Sequence, residues 1–92
     1  MGISLEPEIT DSNTGNGDIW MVTVYDNPYN TFDEVIEILI RATKCSHTEA
    51  EMETWEIHNL GKSIVHSGSN EVCQTVADII SSIGVDTEVS QL

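Results

Sequence analysis

The sequence has few basic residues. Arg41, Lys44 and Lys62 are the only three, against 16 acidic residues in a chain of 92, and the formal net charge is −13. A surface this acidic repels phosphate backbones, so we expect no direct binding to nucleic acid. The same field attracts amines and basic partner surfaces. Acidity of this degree also serves solubility or a high-salt habitat, and composition leaves both interpretations open.

Cysteines and long apolar runs are also scarce. Cys45 and Cys73 are too few for a disulfide scaffold and fall in separate helical regions, so we expect reduced thiols that pack in the fold. No apolar stretch approaches the roughly 20 residues that span a bilayer, and residues 1–11 lack the basic start and apolar centre of a signal peptide. We therefore expect a cytoplasmic protein that does not associate with membranes.

Signatures of catalysis and of cofactor binding are missing as well. The sequence has no glycine-rich phosphate loop, no spacing typical of a nucleophile and its base, and no set of four metal ligands. We therefore predict a protein that is not an enzyme and that uses no cofactor and no metal. The enzyme hypothesis would need Cys45 or Cys73 in a deep pocket beside a histidine.

Residues 1–18 combine Gly, Pro, Ser, Asn and Asp with scattered apolar residues. Such a segment buries too little surface to offset the entropy lost on ordering, so we expect a disordered tail. Residues 19–92 then form the single folded domain.

The segment at residues 20–32, WMVTVYDNPYNTF, organises this domain. Its first part alternates with the period of a strand, which places Trp20, Val22 and Val24 on one face. Asp26 and Asn27 stop the strand, and the proline that follows favours an extended backbone before it. Short polar side chains between a strand and a helix can point their acceptor groups outward from a rigid frame.

Three helices follow from capping signals and apolar stripes. The first begins at Asn30 or Thr31, and Thr31 with Glu34 fits a capping box. The second begins after Ser46 and runs to about residue 57. The third begins after Ser69, stops near residue 84, and has the clearest stripe in the chain: Val72, Cys73, Val76, Ala77, Ile80 and Ile83.

Short β-branched segments at residues 62–66 and 85–89 predict two further strands. The element order is then β-α-α-β-α-β. This order predicts an α+β fold, a small α/β sandwich with its helices against one face of the sheet.

Asp26, Asn27 and His58 have ordinary structural explanations. Asp and Asn after a strand often hydrogen-bond their own backbone in a turn, and a histidine near a helix end often caps the last carbonyls. The alternative is that carboxylate, amide and imidazole together hold a small cationic group, such as the amino terminus of another polypeptide. The residue types alone leave both explanations open.

Three stretches together resemble the ClpS family of Clp-protease adaptors: WMVTVYDNPYNTFDEVI at 20–36, EIHNLGKSIV at 56–65 and EV at 71–72. The resemblance covers residues 20 to about 90, and its most specific part is His-x-x-Gly-Lys at 58–62. It implies a three-stranded sheet packed with three helices, a fold shared with the carboxy-terminal domain of the ribosomal stalk protein. It also implies a non-enzymatic adaptor that binds the free α-amino group and bulky hydrophobic first residue of N-degron proteins and delivers them to an AAA+ unfoldase.

The resemblance implies roles for individual residues. The α-amino group would be bound by Asp26, Asn27 and His58, where the order of the acid and the amide is reversed from the family pattern. Glu71 matches an acidic residue on the side that faces the N-terminal domain of the Clp unfoldase. We also expect the protein to be a monomer. The pocket for the first side chain would be lined by Asn30, Phe32, Val35, Ile38, Thr54 and Ile57.

Several positions depart from the family pattern. Pro28 stands where the family has Asp, Thr54 where it usually has Met, and Val76 where a Lys works beside the acidic residue. These departures motivate a second hypothesis. The chain would then be a divergent ClpS-like protein-interaction module that has lost or altered amino-terminus recognition.

Overall fold

A computed structural model describes residues 19–92, so the tail predicted for residues 1–18 lies outside the described residues. Within that range no helix has the length and apolar character needed to cross a membrane. The predicted order β-α-α-β-α-β and the α+β class are confirmed. The six elements are β1 (Trp20–Tyr25), α1 (Phe32–Thr43), α2 (His47–Leu60), β2 (Lys62–Gly68), α3 (Asn70–Ser81) and β3 (Thr87–Gln91).

The three strands form one antiparallel sheet in the order β2-β1-β3, so the first strand lies at its centre. Val22 and Val24 are fully buried in the core, on the face that the alternating pattern predicted. On the opposite face Ile64 lies beside Thr23 and is 56% exposed. Because β1 is the central strand, its last residues and the turn that follows them lie between β2 and β3.

Each helix begins with a hydroxyl cap, and for α1 the cap is Thr31, one of the two candidates that the sequence offered. The Thr31 hydroxyl accepts from the backbone N–H of Glu34, and the Glu34 carboxylate accepts from the backbone N–H of Thr31, which completes the capping box. Ser46 and Ser69 cap α2 and α3 through their hydroxyl oxygens. Helix α2 runs beyond its predicted end and stops at Leu60. The next residue, Gly61, adopts a left-handed conformation with φ of 93° and ends the helix.

The core lies where the helices pack against β1 and β2 and against one another. The stripe predicted on α3 is wrong at Val72, which is 48% exposed because it lies in the first turn at the edge of the stripe. Cys73 is buried and Cys45 is half-buried, and both thiols are free. The buried apolar residues are Val22, Val24, Val35, Ile36, Ile38, Leu39, Ala50, Ile57, Val65, Cys73, Val76, Ala77, Ile80 and Val85.

Glu53 is a half-buried carboxylate on α2. Its Oε1 atom is buried and has no hydrogen-bond partner. Burial, and then repulsion from Glu49 and Glu56, raise the pKa of Glu53 to about 7. Above this pKa, the fold therefore holds an ionised carboxylate that it solvates poorly.

Glu53→Gln is expected to raise the midpoint of thermal unfolding at pH 8 and to change it little at pH 5. The folded protein holds this proton more tightly than the unfolded chain, so stability from Glu53 falls as the pH rises from its ordinary pKa of 4.5 to about 7. Because solvent screens a half-exposed carboxylate, we expect a gain of roughly 1 kcal/mol at pH 8. Circular dichroism melts would measure it, with the exposed Glu51→Gln on the same helix as control. An equal gain at pH 5 would contradict the assignment.

Candidate functional site

Two backbone hydrogen bonds hold the end of β1. The N–H of Tyr25 donates to the carbonyl of Asp86, just before β3, at 3.0 Å. The N–H of Asp26 donates to the carbonyl of Gly61, just after α2, also at 3.0 Å. The second bond brings the turn after β1 against the last turn of α2, and so brings Asp26 next to His58.

Asp26 and His58 form the only ion-pair contact within residues 19–92. The Asp26 Oδ1 and His58 Nδ1 atoms are 3.2 Å apart, and the two side chains are 38% and 29% exposed. Nδ1 is itself buried and has no hydrogen-bond partner, so the contact is close but poorly aligned for a hydrogen bond. The Phe32 ring meets the imidazole edge-on, with ring centroids 5.2 Å apart. The carboxylate thus lies against the imidazole and keeps acceptor capacity for a further donor.

Asn27 is engaged within the turn. Its Oδ1 atom accepts from the backbone N–H groups of Tyr29 and Asn30, at 2.8 and 2.9 Å. Its Nδ2 atom donates to the Asn30 Oδ1 atom at 2.9 Å and to the Gly84 carbonyl at 3.3 Å. The structural explanation offered by the sequence therefore describes Asn27 well, since its side chain bonds the backbone that follows it.

Asn30 extends this network to the segment between α3 and β3. Its Nδ2 atom donates to the Ile83 carbonyl at 3.0 Å and to the Glu34 carboxylate at 3.3 Å. The hydrogen bond from the Thr31 backbone, followed by that from Asn30, lowers the pKa of Glu34. The two asparagines together fix the turn between β1 and α1 to the chain that precedes β3.

A narrow depression opens beside these polar groups. It contains about 170 Å³ of free space, but none of that space is wide enough to hold a water molecule. Its apolar sides come from α1, α2 and the segment before β3, and its polar sides from the turn after β1. The lining residues are Tyr25, Asp26, Asn27, Asn30, Val35, Ile57, His58 and Val85.

Six of the predicted site residues line this depression, and three of the predicted pocket residues do not. Phe32 contacts the site through the His58 ring. Ile38 lines a different groove, beside Arg41 and Ile83. Thr54 is fully buried and donates its hydroxyl to the Ala50 carbonyl at 2.7 Å, because a polar side chain on the core side of α2 needs a partner.

Glu71, which the resemblance predicts to face the unfoldase, lies on another element. Glu71 is exposed in the first turn of α3. Val76, which stands at the position where the family has a Lys, is 4% exposed and belongs to the core. Glu71 is therefore accessible, whereas Val76 packs into the core.

A model of the family described as ATP-dependent Clp protease adaptor protein ClpS matches residues 16–88, which is most of the chain. The chain belongs to the ClpS family. In all, 18 chains of known structure match its fold, while no curated protein matches it. One of the structures is Agrobacterium tumefaciens ClpS2 bound to L-phenylalaninamide, with a TM-score of 0.72 and 16% identity over 82% of this chain and 100% of that one. The resemblance seen in the sequence and the ClpS-like fold are both confirmed.

Sequence reasoning missed two residues that line the depression of this ClpS protein. Tyr25 ends β1 immediately before the predicted acceptors, and its hydroxyl donates to Glu88 at 2.6 Å. Val85 is 3% exposed and reaches the depression from the segment before β3. The alternation at residues 85–89 could have placed Val85 on an inward face. Its proximity to the turn depends on the pairing of β1 with β3.

Proposed function

We propose that this ClpS protein is a monomeric, cytoplasmic adaptor. It binds the free α-amino group and the bulky hydrophobic first residue of N-degron proteins, and it delivers them to the N-terminal domain of a Clp AAA+ unfoldase. The observation that carries the proposal is the 3.2 Å contact between the Asp26 carboxylate and the His58 imidazole on the wall of a depression with apolar sides.

The chemistry of this wall suits an ammonium group. An ammonium needs hydrogen-bond acceptors. The partly exposed Asp26 carboxylate supplies two acceptor oxygens and a negative charge that complements the positive ammonium. The Nδ1 atom of His58 has no hydrogen-bond partner but is buried, so it serves as a further acceptor once the walls of the depression separate. Bonds of this charge-assisted kind contribute roughly 1.5–3 kcal/mol each. The net charge of −13 also favours the approach of an amine.

Asn27 has a supporting role in this proposal. Its amide oxygen already accepts from two backbone N–H groups, and its amide nitrogen donates to two acceptors. It therefore positions Asp26 and the turn, and the amine contacts fall to Asp26 and His58.

The first side chain of the ligand would enter between Val35, Ile57 and Val85. Because the depression is too narrow for water, these walls must separate to admit a bulky side chain. The similar Agrobacterium ClpS2 was solved with L-phenylalaninamide, a molecule with a free α-amino group and an aromatic side chain. This likeness supports an aromatic or large aliphatic first residue. Delivery would use the exposed Glu71 on α3.

The test is binding of labelled peptides that differ only in their first residue. We expect a Phe-initiated peptide to bind about tenfold more tightly than the same peptide with Gly first, because burying a large apolar side chain contributes roughly 1.5–3 kcal/mol and opening the depression offsets part of it. Fluorescence anisotropy on the full chain would measure both affinities. Equal affinities would exclude a pocket for the first side chain.

A second candidate is a ClpS-like interaction module that has lost amino-terminus recognition. The engaged Asn27 amide and the closed depression favour it. Binding to the unfoldase without any preference for the first residue or for a free amine would support this candidate.

A further inference from the structure

Helix α2 carries two apolar rows, and only one of them is covered. Ala50, Thr54 and Ile57 point into the core and are at most 1% exposed. Met52 and Trp55, one turn apart on the opposite side of the helix, are 63% and 53% exposed. An exposed Trp beside an exposed Met is unusual for a surface that meets only water, and large aromatic residues are enriched at protein interfaces.

Carboxylates border this exposed row on both sides. Helical periodicity places Glu49 and Glu56 along one flank of Met52 and Trp55, and Glu51 along the other. None of these carboxylates has a Lys, Arg or His within 4 Å among residues 19–92, although Glu56 accepts a hydrogen bond from the uncharged Ser63 hydroxyl at 2.6 Å. We name these five residues the α2 outer face: Met52 and Trp55 with Glu49, Glu51 and Glu56.

The local negative charge exceeds what the fold neutralises. Helix α2 contains no Lys or Arg, and repulsion from Glu49 and Glu56 contributes to the raised pKa of Glu53. A cationic partner would relieve this repulsion and cover the apolar row at the same time. A second copy of this chain, with its own net charge of −13, would increase the repulsion, and nucleic acid or an anionic membrane would be repelled.

We propose that the α2 outer face docks a basic amphipathic helix of another protein. A convex helical row offers no cleft, and the surface that matches it is the row of a second helix packed alongside at about 8–10 Å. The apolar residues of that helix would contact Met52 and Trp55, and Lys or Arg beside them would pair with the flanking carboxylates. This inference goes beyond the proposed adaptor function and does not depend on the amine site.

The probe is a synthetic 14-residue peptide of Leu and Lys whose Leu residues share one helical face. Its amino terminus is acetylated so that it cannot use the amine site. We expect anisotropy to show binding to the full chain, weakened at least fivefold by Trp55→Ala and by Met52→Ala. Val72→Ala, which truncates an exposed apolar residue on α3, is the matched control and should leave the affinity unchanged.

A second peptide of the same composition, scrambled so that Leu does not form a face, separates docking from simple charge attraction. Equal binding of the scrambled peptide, or unchanged binding after Trp55→Ala, would overturn the proposal. Binding of a Phe-initiated peptide should be unchanged by Trp55→Ala. Loss of one activity with retention of the other therefore identifies which of the two proposals has failed.

Discussion

Acetylation of the amino terminus of a Phe-initiated peptide is expected to weaken its binding at least 100-fold. Acetylation removes the positive charge and leaves one N–H, so the charge-assisted bonds to Asp26 and His58 are lost. The depression keeps its apolar contacts with the Phe side chain, which explains why some affinity should remain. Anisotropy with the free and acetylated peptides on the full chain measures the difference. Equal affinities would rule out amine recognition and leave the interaction-module candidate.

Asp26→Ala locates the same effect in the protein. We expect the variant to bind the Phe-initiated peptide with a free amino terminus about 10- to 100-fold more weakly, in line with the loss of one charge-assisted interaction. Its affinity for the acetylated peptide should be unchanged. The matched control is Asp78→Ala, because Asp78 is an exposed carboxylate on α3 that does not line the depression. If both variants weaken binding equally, the effect comes from net charge and not from contact with the amine.

Asn27→Ala is expected to destabilise the whole domain by roughly 2–3 kcal/mol, since hydrogen bonds of about 1 kcal/mol each are lost at both ends of its amide. The amide oxygen holds the turn through Tyr29 and Asn30, and the amide nitrogen ties the turn to Gly84. A loss of this size lowers the melting temperature of a domain this small by about 10 °C or more. Urea unfolding followed by circular dichroism measures it.

Asn27→Asp is the matched control for this variant. It keeps the oxygen that accepts from Tyr29 and Asn30 but replaces the donor that serves Asn30 and Gly84. We expect a destabilisation smaller than that of Asn27→Ala. If the urea midpoint of Asn27→Ala instead equals that of the wild type and only peptide affinity falls, Asn27 contacts the amine directly. The proposal that Asn27 only positions the turn would then be wrong.

Local signals predicted much of the fold. Thr31, Ser46 and Ser69 cap their helices because a hydroxyl that accepts a backbone N–H depends only on the next few residues. Val22 and Val24 are buried because strand alternation is a property of the strand itself. Val72 belongs to the predicted apolar stripe of α3 but is 48% exposed. Periodicity shows which side of a helix faces the core, whereas the packing of neighbouring elements decides how far the residues at the edge of that side are buried.

The site was predictable only in part. The family resemblance pairs Asp26 with His58, and the Asp26 Oδ1 and His58 Nδ1 atoms lie 3.2 Å apart. The same resemblance predicts Thr54 and Ile38 in the pocket, whereas Thr54 is fully buried and Ile38 lines a different groove. The width of the depression depends on how α1, α2 and the segment before β3 pack, and no single stretch encodes it.

The sequence by itself determined the order of the elements, the caps of the helices, the acidic charge and the ClpS family, because each depends on neighbouring residues or on composition. Tertiary structure alone decided that the Asn27 amide reaches the Gly84 carbonyl, that Val85 lines the depression 58 positions from Asn27, and that the outer row of α2 is uncovered. These outcomes depend on contacts between elements distant in the chain, and such contacts are fixed by the packing of the whole domain.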